Sequence, residues 1–132
     1  MNGWARSILL AGSIAMSVAI AGCGKPGDDL EYKIAEATHQ MQGQLPMRVD
    51  DVTTLTGVRH EGTNIIYEMS VDRELSADEL QAASGQMQAS NQRNMCGQPP
   101  TLELIRMGAS LTHRYTDKAG HHFETRVSAC PA

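Results

Sequence analysis

Between Arg6 and Cys23 the chain carries no charge, and Ile8–Ile20 form an apolar run broken only by small residues. At about 13 residues the run is shorter than the roughly 20 that a membrane-spanning helix needs. A helix buried at the surface of a globular core would carry a polar face, and this run has almost none. It is therefore expected to stand outside the fold, which must be built from the part that follows Cys23. That part has about 110 residues, enough for one domain with a modest core and too few for two.

The order of features around the run carries more. Arg6 supplies a positive end, Ile8–Ile20 the apolar stretch, and Ala21 and Gly22 the small residues before Cys23. This arrangement resembles the signal peptide of a bacterial lipoprotein. The resemblance implies that Cys23 receives diacylglycerol, that the chain is cut before it, and that the new amine is acylated. Residues 1–22 would then be a signal peptide, 23–28 a lipidated tether and 29–132 a single periplasmic domain. Gly24 is not the aspartate that retains such proteins in the inner membrane. The implied location is thus the outer membrane, with the protein anchored by lipid on Cys23 and facing the periplasm.

With Cys23 modified, Cys96 and Cys130 remain as an even pair in an oxidising compartment, where a disulfide is expected. Closing a loop of this size is worth roughly 3.5 to 4 kcal/mol in the chain-entropy model. A metal site would need further ligands nearby, and a redox pair usually has a Cys-x-x-Cys spacing that is absent here.

The net charge of −4 includes Arg6, so the remainder carries about −5, with acids and bases interspersed. Such a surface lacks the concentrated basic patch that nucleic acid requires. Trp4 lies before Cys23, and Tyr32, Tyr67, Tyr115 and Phe123 are the aromatics that follow it, which argues against base-stacking platforms.

Along the chain, Asp28 and Asp29 are placed to cap a helix with apolar positions Leu30, Ile34, Ala37 and Met41, ended by Gly43. Val49–Arg59 reads as β, His60-Glu61-Gly62 as a turn, and Ile65, Tyr67, Met69 and Val71 alternate with Ile66, Glu68, Ser70 and Asp72. Ser76 and Glu79 form a capping box opening a helix with Leu80, Ala83, Met87 and Asn91 on one stripe, running to about Met95. Gly97 and Pro99-Pro100 break it, and Thr101–Met107 suit a short helix closed by Gly108. Leu111, His113 and Tyr115, a Lys118-Ala119-Gly120 turn, and Phe123, Thr125 and Val127 predict a second hairpin. The expected fold is α+β, an antiparallel sheet of about four strands in two hairpins packed against two to three helices. The disulfide would staple helix layer to sheet.

Catalytic motifs are missing: there is no Gly-x-Ser-x-Gly elbow, no His-Glu-x-x-His and no glycine-rich phosphate loop. Asp50-Asp51 precede a strand and Asp78-Glu79 open a helix, so neither pair needs an acid/base role. His113 could lie across the second hairpin from His121 or His122, but these two point to opposite faces, and solvated hairpin residues are the plainer reading. Six methionines follow Cys23, and a soft-metal carrier could use them. Their helical and strand spacing instead places most in the core, so no metal or cofactor is expected. Arg114, Arg126 and Glu124 on the polar face of the second hairpin are the candidate partner-binding residues, arginine being enriched at interfaces.

These readings converge on a non-catalytic lipid-anchored protein that binds another envelope protein. The part after Cys23 resembles small disulfide-bonded periplasmic lipoproteins of the immunity, inhibitor or pilotin type, with an immunity or inhibitor role put first. A pilotin-like assembly factor for a secretion or envelope complex is the alternative, and a small periplasmic enzyme or a metal or ligand carrier a further one. No motif names the partner or the oligomeric state.

Overall fold

The computed structural model describes residues 26–131, so Cys23 and the run before it lie outside the described residues. Helix α1 (Pro26–Gln42) leads into β1 (Met47–Arg48), β2 (Thr53–Glu61) and β3 (Asn64–Val71). Helices α2 (Ala77–Cys96) and α3 (Pro99–Arg106) follow, and β4 (Ser110–Thr116) and β5 (His122–Val127) close the fold. The domain is α+β with three helices on a five-stranded sheet of order β1-β2-β3-β4-β5.

Both expected hairpins form, β2 with β3 and β4 with β5, but the sheet is mixed because β3 and β4 run parallel. Helix lengths explain this departure from the all-antiparallel expectation. At 20 residues, α2 spans about 30 Å and returns the chain along the whole of β3. At 8 residues, α3 spans only about 12 Å, too little to carry the chain back again. β4 must therefore start at the end where β3 started, with Asn64 beside Ser110.

The strand expected over Val49–Arg59 begins only at Thr53. The Asp50 carboxylate accepts from the backbone N–H groups of Val52 and Thr53, a local turn that separates the short β1 from β2. Helix α1 starts at Pro26, two residues ahead of the expected cap, and α3 starts at Pro99, because proline suits a helix's first turn. Pro99-Pro100 thus open a helix as well as ending one. The capping box forms as read: Ser76 accepts from the Glu79 N–H, and the Glu79 carboxylate accepts from the Ser76 N–H.

One sheet face supplies the core: Leu55, Val58, Ile65, Met69, Leu111, Tyr115 and Val127, met by Leu30 and Ile34 of α1 and Ile105 of α3. Ile66 points the other way and is still only 2% exposed. It is buried on the outward face, outside the main core cluster.

At the far end of β4 the Asp117 side chain is fully buried and accepts four hydrogen bonds, from the N–H groups of Leu75, Ala119 and His121 and from the His121 ring. It ties the β4–β5 turn to the segment that enters α2. Burial pushes its pKa up, but the bonds from Leu75, His121 and Ala119 outweigh this and hold it down at about 2. Its contribution to stability is present above the unfolded value near 4 and disappears as pH falls through about 2. Asp117→Asn should therefore lower the melting temperature at neutral pH and flatten the acid limb between about pH 4 and 2, measured by circular dichroism.

Cys96 at the end of α2 and Cys130 beyond β5 are joined by a disulfide across a separation of 34 residues. Replacing both by serine should cost about 3.5 to 4 kcal/mol in denaturant unfolding if the loop-entropy model holds. An unchanged midpoint would show that the unfolded chain gains nothing from the link.

Candidate functional site

Helix α2 lies along β5. Gln88 pairs with the strand as another strand would: its Nε2 donates to the Arg126 carbonyl at 2.7 Å and its Oε1 accepts from the Arg126 N–H at 2.9 Å. Gln92 donates to the Ala129 carbonyl at 2.6 Å. Asn91, the buried residue of α2, donates to Tyr115 Oη and Thr125 Oγ1, each at 2.9 Å. At the opposite side of the sheet, Gln42 of α1 donates to the Val58 carbonyl at 2.8 Å. Side-chain amides thus satisfy exposed backbone groups at both flanks of the sheet.

Between α1 and α2 the sheet face is left open as a cavity of about 810 Å³. Tyr67, Met69, His113 and Tyr115 form its floor, while Met41, Met47, Met87 and Met95 stand in its walls. A smaller cavity of about 200 Å³ continues toward Ala83 and shares Asp50, Thr53, Met87 and Tyr115 with the first. Together they flank α2 from Ala83 to its C-terminal end, a length of about 20 Å at helical rise. Val49 and Val52 stand at the mouth, 55% and 39% exposed. The methionines were expected mostly in the core. Met69 is there, but Met41, Met47, Met87 and Met95 are half-buried and border open space, because α1 and α2 are held apart.

The floor is an aromatic band. His113 stacks on Tyr67 with centroids 4.7 Å apart, and Tyr115 on Phe123 at 4.6 Å. His113 is 5% exposed, and its Nδ1 is the one buried side-chain polar atom among the described residues that has no partner. Burial pushes the His113 pKa down to about 4 and that of Tyr67 up to about 12. Burial also raises Tyr115, against the bond from Asn91 and with the charge of Asp50. At the rim, Arg93 is exposed and lacks a carboxylate partner among the described residues.

The residues singled out from sequence lie on the opposite, outward face. Arg114 pairs with Glu124 at 3.2 Å and with Glu68 at 3.4 Å, and Glu68 also takes Arg59 at 3.2 Å. This lattice extends over the face that carries Ile66, the long arginine stems covering apolar surface while the charges meet water. Arg126 stands apart, donating to Ser110 Oγ at 3.1 Å, and has no carboxylate partner among the described residues. The histidines do not gather: His113 faces Thr125, His122 faces Thr116, and His121 is held by Asp117. Among the described residues no three His, Cys, Asp or Glu side chains come together to hold a metal.

Three solved structures share this fold. One is a candidate secreted protein from Pseudomonas aeruginosa, with a TM-score of 0.66 at 18% identity over 82% of this chain and 96% of that one. The second is EpsS, the pilotin of the Vibrio vulnificus type 2 secretion system, with a TM-score of 0.66 at 12% identity over 81% of this chain and 96% of that one. The third is the type II secretion system pilotin AspS of Vibrio cholerae, with a TM-score of 0.64 at 12% identity over 78% of this chain and 92% of that one. No protein-family model and no curated sequence matches the chain.

The groove makes its own prediction about acid. A buried histidine held neutral contributes stability above its unfolded pKa near 6.5, and that contribution is lost as pH falls toward about 4. The His113 proton should thus cost on the order of 3 kcal/mol across that window. His113→Phe, which keeps a ring against Tyr67, should remove this slope and leave the Asp117 slope below pH 4 intact.

Proposed function

We propose that this chain is a pilotin-like assembly lipoprotein, non-catalytic and tethered by Cys23 to the outer membrane, whose groove receives an amphipathic helix of an envelope protein. The observation that carries this reading is the open, methionine-walled groove on a sheet face that is otherwise covered by helices. Its length suits about four helical turns. Unbranched methionines re-pack around a partner's side chains, which suits a groove that must accept a helix. Arg93 at the rim would meet an acidic residue on the helix flank. The likeness in fold to two secretion pilotins supports assembly over the immunity or inhibitor role that the sequence put first.

A second reading keeps the partner on the outward face. Arg126 favours it, as a cation on that face with no carboxylate partner among the described residues. Arg114 and Glu124 are less available, since each is already paired.

Met87→Arg places a charge in the groove at a half-buried position and should reduce recovery of the partner from envelope extracts roughly tenfold or more. Arg126→Ala should leave recovery nearly unchanged. The reverse pattern moves the contact to the outward face, and recovery unaffected by either variant sinks both placements. Cys23→Ser should release the protein from the membrane fraction and abolish incorporation of labelled fatty acid.

A further inference from the structure

We propose that the helix received by the groove lies parallel to α2, with its amino-terminal end at Asp50 and its carboxyl-terminal end at Arg93. This direction rests on the docking of a helix proposed above, and the charges of the groove supply it. Asp50 and Arg93 are the acid and the base among the side chains that line the larger cavity, and His113 beside them is held neutral by burial. They stand at different places along it. Asp50 borders both cavities together with Thr53, Met87 and Tyr115, whereas Arg93 lines only the larger one, as do Gly97, Gln98 and Thr101. Along α2, Met87 stands about 6 Å and Arg93 about 15 Å from Ala83 at helical rise.

Both charges are free to meet a partner. Asp50 is exposed, its Oδ1 accepts from the N–H groups of Val52 and Thr53, and its Oδ2 has no hydrogen-bond partner among the described residues. The turn that carries it is fixed in place. The Val49 N–H donates to the Thr53 carbonyl at 2.9 Å, and the Asp72 N–H to the Val52 carbonyl at 2.7 Å. Arg93 is exposed and makes no ion pair among the described residues. The cations near Asp50 are already engaged: Arg73, in the wall of the smaller cavity, pairs with Glu79 at 3.3 Å, and Lys118 pairs with Asp72 at 3.3 Å.

A helix leaves its first N–H groups and its last carbonyls unpaired, so its amino-terminal end is positive and its carboxyl-terminal end negative. A fixed carboxylate favours the first, and an arginine can donate to the last. The dipoles of the flanking helices do not decide the direction. Helix α1 runs from Leu30, packed beside Gly108 ahead of β4, to Gln42 at Val58 in mid-sheet. Helix α2 starts just after Leu75, bonded to Asp117 past the end of β4, and returns to Cys96 beside Cys130. The two therefore run opposite ways, and their macrodipoles offset each other in the groove between them.

A reversed helix would set carbonyls against Asp50 and N–H groups against Arg93, two repulsions in place of two attractions. The apolar floor gives no such preference, since a leucine stripe packs on it in either direction. The acidic residue that Arg93 meets thus belongs to the last turns of the partner's helix.

The test uses the full lipidated chain in zwitterionic lipid nanodiscs, with empty discs as the blank. The probe is an acetylated and amidated peptide of about 16 residues, leucine on one face and glutamine elsewhere, so that its backbone dipole is its only charge asymmetry. Benzoylphenylalanine in its first turn should photolabel the turn at residues 49–53, and in its last turn residues 97–101. Asp50→Asn keeps the Oδ1 acceptor and removes the charge, and Arg93→Gln removes the other. Each should weaken binding of the labelled peptide, read by fluorescence anisotropy at low salt, roughly two- to fivefold. Reversed labelling, equal labelling of both places by each peptide, or unchanged or tighter binding in both variants would overturn the direction and leave the docking reading standing. Labelling of no groove residue by either peptide would refute the docking reading, and the direction with it.

Discussion

Helix α2 is held to the sheet by directional bonds more than by buried apolar area. Its one buried residue is an asparagine, satisfied by Tyr115 and Thr125. Asp117 anchors the segment that enters it, Gln88 and Gln92 bond the backbone at and beyond β5, and the Cys96–Cys130 disulfide closes its far end. Such bonds fix position and orientation sharply, while apolar burial would draw the helix toward the centre of the sheet. Because α2 is pinned at the β5 side, the floor between it and α1 stays open.

An open floor changes what its side chains do. Met87 and Met95 lie on the stripe that a fully docked helix would bury, yet here they border a cavity. Adaptable thioethers at such a place serve binding better than packing, since they lose little by exchanging one neighbour for another. The same geometry isolates His113, whose ring is covered by its stack with Tyr67 while a nitrogen goes unmatched.

The outward face illustrates the opposite economy. Its arginines and glutamates are paired into a lattice whose individual members are worth little, because each is partly exposed and screened. Their joint effect is to lie over the face that carries Ile66, so a face that alternation marks as solvent-facing carries a small apolar centre of its own. Arg114 was legible as a surface cation. Its ion pair with Glu68 of the other hairpin is made across the parallel β3–β4 junction, which sets the two residues side by side.

Local chemistry is what the sequence determined by itself. Strand alternation, the Ser76–Glu79 capping box, the glycine turns at Gly62 and Gly120 and the pairing of two leftover cysteines depend on near neighbours or on counting, and all appear in the fold. The parallel junction followed from the lengths of α2 and α3 taken together, and the groove from where α2 is pinned. Both depend on contacts between residues tens of positions apart, such as Asn91 with Thr125 and Leu75 with Asp117. Helical periodicity says which side chains share a face. It does not say whether another element arrives to cover that face, and only the tertiary arrangement decided that Met41, Met47, Met87 and Met95 would be left in a wall.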